Sequence, residues 1–161
     1  ERGIRIVFGG GRVGLMGIVA DAALAAGGNV IGIIPHHLND IEIAHQRISE
    51  LFLVDSMHER KQMMFERSDA FVVLPGGIGT LDETFEIVTW RQLKLHDKPI
   101  VILDSAGYWR PFLALIDHII DSGFAGKSIR QLFTVVNRVE DVIPTIQATP
   151  QPMIADSPQR L

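Results

Sequence analysis

Midway along the sequence runs Leu74-Pro75-Gly76-Gly77-Ile78-Gly79-Thr80-Leu81-Asp82-Glu83. An apolar segment, residues 70–74, leads into this run, and apolar residues at helical spacing, among them Phe85 and Val88, lead out of it. The pattern predicts a strand, a glycine turn and a helix. Glycines let backbone N–H groups converge without Cβ atoms in the way, and the start of a helix adds its positive dipole end. We therefore expect a cradle for an anion at this turn, and phosphate fits best.

The remaining sequence alternates short apolar segments with helical patterns. Strands are predicted at residues 4–8, 29–34, 51–54, 70–74, 99–103 and 134–136, and helices at about 18–26, 56–67, 80–94, 108–122 and 139–146. Continuously apolar strands that alternate with helices indicate a parallel sheet covered on both faces. The predicted fold class is α/β, a doubly wound, Rossmann-like parallel sheet in a single domain over residues 1–148, followed by a loose tail, 149–161. Residues 36–50 are expected to form an irregular functional loop.

Composition excludes several classes of function. A chain of 161 residues, 47% hydrophobic, is long enough for one domain with a sizeable core. The net charge of −4 and the lack of a basic block argue against a nucleic-acid partner. No apolar run approaches the ~18 residues that span a membrane. The absence of cysteine excludes disulfides and thiolate chemistry, and the six histidines show no metal-ligand spacing. We expect a cytoplasmic protein that needs no metal and no cofactor.

A second glycine turn, Gly9-Gly10-Gly11-Arg12-Val13-Gly14-Leu15-Met16-Gly17, follows the first strand. Its residues 9–14 match the letters of the dinucleotide fingerprint, G-x-G-x-x-G, in the expected context. The acidic residue that would bind the ribose is missing, because Ile34 is followed by Pro35 and two histidines. This absence argues against a classical NAD site and leaves two readings open: contact with another ligand, or a tight turn with close helix–sheet packing.

Two further features admit a structural and a functional reading. Thr80-x-x-Glu83 has the spacing of a capping box, so Glu83 could bond only to the backbone at the start of the helix, or it could face a ligand. The Gly-Lys-Ser/Thr of a Walker loop is absent, so a triphosphate site is not supported. Arg60-Lys61 lies one turn into a helix that Ser56 is expected to cap. This pair could bind phosphate or could be a solvated cationic surface.

Three motifs together resemble the Lonely Guy family, the cytokinin riboside 5′-monophosphate phosphoribohydrolases. They are Gly9-Gly10-Gly11-x-x-Gly14-Leu15-Met16-Gly17, Met57-His58-x-Arg60-Lys61 and Pro75-Gly76-Gly77-x-Gly79-Thr80-x-x-Glu83. The resemblance extends from residue 1 to about residue 124. Members of this family have also been called lysine decarboxylases, but no sequence context for a pyridoxal-phosphate lysine is present. The family normally begins with a further strand and helix, so the numbering is expected to start partway into a longer protein.

The resemblance implies an N-glycosyl hydrolase that cleaves N6-modified AMP to the free base and ribose 5-phosphate. It implies Arg60 and Glu83 as the catalytic pair. The substrate-binding residues that it implies are Glu42, Met57, Lys61, Gly76, Gly77, Ile78, Gly79, Thr80, Leu81, Asp82 and Thr89. It also implies a homodimer, for which the helix with Thr89 and Trp90 is the expected interface. Two alternatives stay open: a nucleosidase that accepts AMP or other nucleoside 5′-monophosphates, and a non-catalytic nucleotide-binding or carrier module.

Overall fold

The structure, a computed structural model, describes residues 3–39, 44, 45 and 47–149. The chain divides into two compact units, Glu1–Ser68 and Asp69–Leu161. Each unit contains one three-stranded sheet in which neighbouring strands are parallel. Of the predicted tail, residues 150–161 lie outside the described part of the chain.

The first unit is a β-α-β arrangement around a central buried strand. Its elements are β1 (Arg5–Phe8), α1 (Leu15–Ala25), β2 (Asn29–Pro35), α2 (His36–Asn39), β3 (Glu50–Val54) and α3 (Met57–Glu66). The strand order is β1-β2-β3. Every residue of β2 after Asn29 is buried, and methionines of α3 pack on the core that β2 and β3 form. The carboxyl end of β3 therefore leads directly into a helix that lies against the sheet.

The second unit repeats this scheme with helices on both faces of its sheet. Its elements are β4 (Phe71–Val73), α4 (Ile78–Gln92), β5 (Ile100–Leu103), α5 (Arg110–Asp121), β6 (Thr134–Val136) and α6 (Val142–Ala148). The central strand, β5, is buried along its whole length. Its alternate side chains serve two cores: Ile100 and Ile102 pack with α4 and α5, while Val101 and Leu103 pack with α6. Alternation along one strand explains why both faces need a cover of helices.

The predicted α/β class with parallel strands is confirmed, and several predicted boundaries are wrong. The helix after the glycine turn begins at Ile78 rather than at Thr80, because Ile78 and Gly79 already have helical geometry. Part of the loop predicted at 36–50 is the short helix α2. The helix predicted at 108–122 begins only at Arg110, and its buried face is narrow, formed by Phe112 and Ile116. Among the described residues, no helix combines the length and apolarity needed to cross a membrane.

Candidate active site

The candidate residues of the first unit are positioned by the start of α3. Ser56 caps the helix as predicted, since its hydroxyl accepts a hydrogen bond from the Glu59 N–H at 3.1 Å. The Glu59 carboxylate in turn accepts one from the Asp55 N–H at 2.9 Å. These bonds fix the first turn of α3 and place Arg60 against the unit rather than in solvent.

Arg60 is a buried cation, only 6% exposed. Its Nη2 donates to the Gly9 carbonyl at 3.0 Å, and its Nη1 lies 3.7 Å from the Met57 sulfur. Its Nε has no hydrogen-bond partner among the described residues. No described carboxylate of the first unit forms an ion pair with it. The solvated-surface reading is therefore wrong for Arg60. A buried guanidinium with an unused donor is suited to an incoming anion or electron-rich atom. Lys61, beside it, is partly exposed.

The first glycine turn is shaped by packing. A Cβ atom on Gly9 would overlap the Arg60 guanidinium, and a Cβ atom on Gly17 would overlap the Arg12 carbonyl. Of the two interpretations of this turn, these overlaps support a tight turn with close packing, because there is no room for a side chain at position 9 or 17. The turn holds the arginine and lets α1 approach the chain before it.

A buried histidine ties the loop after α2 to this turn. Ala44 pairs with Gly11, and the His45 N–H donates to the Gly10 carbonyl at 3.0 Å. The His45 ring, which is almost fully buried, lies 3.1 Å through Nε2 from an Asp21 carboxylate oxygen of α1. Glu42, the predicted ligand contact of this loop, lies outside the described residues.

The candidate residues of the second unit lie at the start of α4. Gly77 is the N-cap, with extended backbone angles and no side-chain capping bond, and its carbonyl accepts from the Leu81 N–H at 3.1 Å. Thr80 is thus the third residue of the helix. The capping-box reading of Thr80 and Glu83 is wrong, because a capping box needs its threonine at the N-cap. The Thr80 side chain instead fills the place that a Cβ atom on Gly76 would occupy.

Space is open beside this helix start. A Cβ atom on Gly77 or Gly79 would meet nothing of the described chain within 4 Å beyond adjacent residues and the helix backbone. Ile78, between them, is 81% exposed. The first N–H groups of a helix have no acceptor within the helix, and Gly77, the N-cap residue, has no side chain that could supply one. Open space, exposed amides and the helix dipole together make the geometry of an anion cradle.

The other predicted residues of α4 fall on different sides of the helix. Glu83 is partly buried and lies one turn beyond Thr80 on the same face. Asp82 and Thr89 are exposed. The Leu81 side chain packs against the core and its N–H bonds to Gly77, so both groups are already engaged. Of these residues, Glu83 is the one that places a carboxylate on the same face of α4 as Thr80.

One residue of this region was missed by sequence reasoning. The Tyr108 hydroxyl donates to the Gly76 carbonyl at 2.6 Å. The available signal was its position just after β5, because the carboxyl ends of neighbouring parallel strands meet at one edge of a sheet. In the described part of the chain, no group of three or more His, Asp or Glu side chains is arranged to hold a metal ion.

Comparisons with known proteins agree on one family. A family model described as possible lysine decarboxylase matches residues 16–146. A cytokinin riboside 5′-monophosphate phosphoribohydrolase of Rhodococcoides fascians is 46% identical over 146 residues, which are 90% of this chain and 74% of the relative. The Arabidopsis thaliana enzyme LOG5, of the same name, is 43% identical, and the match covers 91% of this chain and 64% of the relative.

A probable enzyme of the same name from Oryza sativa, LOGL1, is 47% identical over 82% of this chain and 59% of the relative. The chain thus spans less than two thirds of the length of these plant relatives. The family model covers most of the chain, and the bacterial relative exceeds 40% identity over nearly all of it. The chain therefore belongs to the Lonely Guy family of cytokinin riboside 5′-monophosphate phosphoribohydrolases.

Proposed function

We propose that this protein hydrolyses the N-glycosidic bond of cytokinin riboside 5′-monophosphates, releasing the free base and ribose 5-phosphate. The observation on which this rests is Arg60, a buried guanidinium held by the Gly9 carbonyl with an unused Nε donor. Among the described residues of its unit, Arg60 has no carboxylate partner. A buried cation without a partner is unfavourable for folding, so a ligand that supplies negative charge or an acceptor atom best explains its presence. The names of the relatives support a cytokinin nucleotide as that ligand.

The proposed reaction breaks the bond between C1′ of the ribose and the base nitrogen. Positive charge develops on the ribose as the bond breaks, water adds to C1′, and the departing base nitrogen gains a proton. Glu83 is the proposed catalytic carboxylate, because a carboxylate stabilises an oxocarbenium-like centre or orients the attacking water. Arg60 is the proposed partner, which stabilises the departing base or the phosphate.

Substrate binding is proposed for the backbone of the glycine turn and for the residues that the family motifs indicate. The N–H groups of Gly77, Ile78 and Gly79 at the open start of α4 are proposed to bind the 5′-phosphate. Thr80 holds the turn through its packing on Gly76. The remaining binding residues in this proposal are Glu42, Met57, Lys61, Asp82 and Thr89. Leu81 is left out of it, because its side chain and its N–H are already engaged.

A decarboxylase that uses pyridoxal phosphate does not fit the residues present. Such enzymes need a lysine that forms a Schiff base in a desolvated pocket. The chain has four lysines, Lys61, Lys94, Lys98 and Lys127, all within the described residues, and none is buried. No step of the proposed reaction passes through that cofactor.

The decisive experiment measures product release by the full-length protein. AMP and isopentenyladenosine monophosphate are incubated with the protein, and free base and ribose 5-phosphate are quantified. We expect release from the modified nucleotide, and loss of a general acid–base carboxylate in Glu83→Gln should lower kcat by about 10²- to 10⁴-fold. Glu86→Gln, a change of the same type one turn further along α4, is the matched control and should retain activity.

Each outcome separates the proposal from its alternatives. Equal rates with AMP and the modified nucleotide would replace it with a broader nucleosidase. Tight nucleotide binding without turnover would favour a carrier module. Release that Glu83→Gln leaves unaffected would keep the enzyme but remove the assigned residue.

Three further expectations belong to this proposal. We propose a homodimer, a cytoplasmic location, and a nucleotide-binding domain that extends over residues 1–148. The relatives' names bear on none of the three, and the first can be tested by sedimentation of interface variants.

A further inference from the structure

The loop between β5 and α5 is more tightly fixed than a simple connection requires. Asp104, buried at the end of β5, accepts a hydrogen bond through Oδ1 from the Trp109 N–H at 2.7 Å, and its own N–H donates to the Val136 carbonyl at 2.8 Å. Ala106 has a left-handed φ of 56°, which is unfavourable for a residue with a Cβ atom. Such a conformation persists only where the surroundings determine it, so this loop holds its last residues in a defined place.

The residue that the loop holds is Tyr108. Its ring packs edge-on against the Trp109 ring, at 5.0 Å between centroids and 88° between planes. Trp109 is itself buried in the core of the second unit. The Tyr108 side chain is about half exposed, and its hydroxyl donates to the Gly76 carbonyl at 2.6 Å. A buried tryptophan therefore aims an otherwise exposed phenol at the glycine turn.

We propose that Tyr108 is a positioning residue for the phosphate-binding turn. This inference rests on the proposed function, and it names a residue that neither the motifs nor the comparisons assign. The Gly76 carbonyl and the Gly77 N–H belong to one peptide group, which is planar and trans, so the two bonds point in opposite directions. By fixing the carbonyl, Tyr108 fixes the direction of the N–H at the cap of α4.

The turn needs such a constraint because glycine lies on both sides of this peptide. Neither residue has a Cβ atom to restrict rotation of the peptide plane. Without the phenol, the peptide plane rotates and the Gly77 N–H samples directions that do not face the anion. Ordering this peptide when the ligand binds then costs free energy and weakens binding. Tyr108 thus acts on the phosphate end of a ligand and not on its base.

The test compares two product ligands on the full-length protein by calorimetry. Tyr108→Phe removes the hydroxyl and keeps the ring. We expect its Kd for ribose 5-phosphate to rise about three- to tenfold, the size of effect that one neutral hydrogen bond gives. Its Kd for adenine should stay at the wild-type value. With isopentenyladenosine monophosphate, KM should rise by a similar factor while kcat changes by less than about twofold, since positioning of the phosphate acts on binding.

Two controls separate positioning from packing. Tyr108→Leu also removes the ring and should match Tyr108→Phe in ribose 5-phosphate affinity but unfold at a lower temperature. Phe124→Leu removes an aromatic side chain that is 87% exposed in the same unit, and should behave as wild type.

Three results would overturn the inference: unchanged ribose 5-phosphate affinity in Tyr108→Phe, equal weakening of both ligands, or no binding of ribose 5-phosphate by the wild-type protein. The calorimetry needs no turnover. A wild-type protein that binds ribose 5-phosphate but releases no base would therefore refute the proposed function without refuting the role of Tyr108.

Discussion

Glycine serves two opposite purposes in this chain. Gly9 and Gly17 are required because other atoms occupy the place of their Cβ atoms. Gly77 and Gly79 have empty space in that place, and neither has a positive φ. Neither packing nor backbone strain explains the second pair, whereas a ligand that approaches the backbone does.

Gly79→Ala should therefore raise stability and weaken binding. Gly79 lies within α4, where alanine is favoured over glycine by about 0.5–1 kcal/mol. The added methyl group enters the space that we assign to phosphate, so the Kd for ribose 5-phosphate should rise at least about tenfold, as expected for a steric clash at a tight anion site. Urea unfolding and calorimetry measure the two effects on one variant.

Gly17→Ala is the matched control for this change. Its methyl group would overlap the Arg12 backbone carbonyl, which cannot move without shifting the turn, so we expect lower stability. If Gly79→Ala were more stable and bound ribose 5-phosphate as tightly as wild type, the open space would not be the phosphate site.

The motifs single out Arg60 and Glu83 as candidate site residues, but they do not predict the environment of either side chain. The burial of Arg60 was not predictable, because it depends on the carbonyl of Gly9, 51 residues earlier in the chain. Tyr108 was missed for the same reason, since its partner Gly76 is 32 residues away. Local patterns report spacing, whereas a hydrogen bond to a distant carbonyl is decided by the fold.

At the scale of the elements, strands were predicted more accurately than helix ends. Strands of this sheet type are continuous apolar runs, and β2 and β5 are buried throughout almost all their length. The start of α3 was also predictable, because Ser56 caps it through a side chain. The start of α4 was not, because Gly77 caps that helix through its backbone alone and leaves no side-chain signal.

The turn after α4 should make stability depend on pH. The His96 ring, edge-on to Phe71, donates through Nε2 to the Ile87 carbonyl at 2.8 Å. Burial lowers the pKa of His96 from its ordinary value of 6.5. The hydrogen bond to Ile87 opposes this shift, as does the negative charge of Asp97. The positive charges of Arg91 and Lys98 reinforce it. Because the pKa is lower in the folded chain, the unfolded chain takes up a proton on this histidine at a higher pH than the folded chain does. The stabilisation that neutral His96 provides is therefore complete above pH 6.5. It is lost as the pH falls through the lowered pKa of the folded chain.

The measurement is urea unfolding of wild type and His96→Gln at about pH 7.5 and about pH 5.5, on either side of the ordinary histidine value. Glutamine can still donate to the Ile87 carbonyl but does not titrate. The wild-type protein should lose more free energy of unfolding between the two conditions than the variant does. An equal loss in both proteins would contradict the assignment to His96.

At the scale of the whole molecule, the open prediction is self-association. We expect a homodimer that uses the helix with Thr89 and Trp90, and Leu93 at the end of α4 offers an apolar side chain that is 62% exposed. A charge placed in the middle of such an interface is strongly unfavourable. Leu93→Glu should therefore sediment as a monomer in analytical ultracentrifugation, whereas the wild-type protein should sediment as a dimer.

Ile18→Glu supplies the control for this change. Ile18 lies on α1 and is 63% exposed, so the substitution adds the same charge at an equally accessible apolar position. The control should remain dimeric. If both variants dissociate, the interface includes α1, and if neither does, α4 is not the contact.

The contact between Gly9 and the Arg60 guanidinium has a consequence for how the family can change over time. Each residue limits what the other position will accept, because any side chain at position 9 displaces the guanidinium, and a shorter side chain at position 60 removes the need for glycine. The two positions should therefore be inherited as a linked pair. In a combinatorial library selected for folding alone, alanine or serine at position 9 should be recovered mainly together with the loss of arginine at position 60. Selection for activity should restore both residues at once.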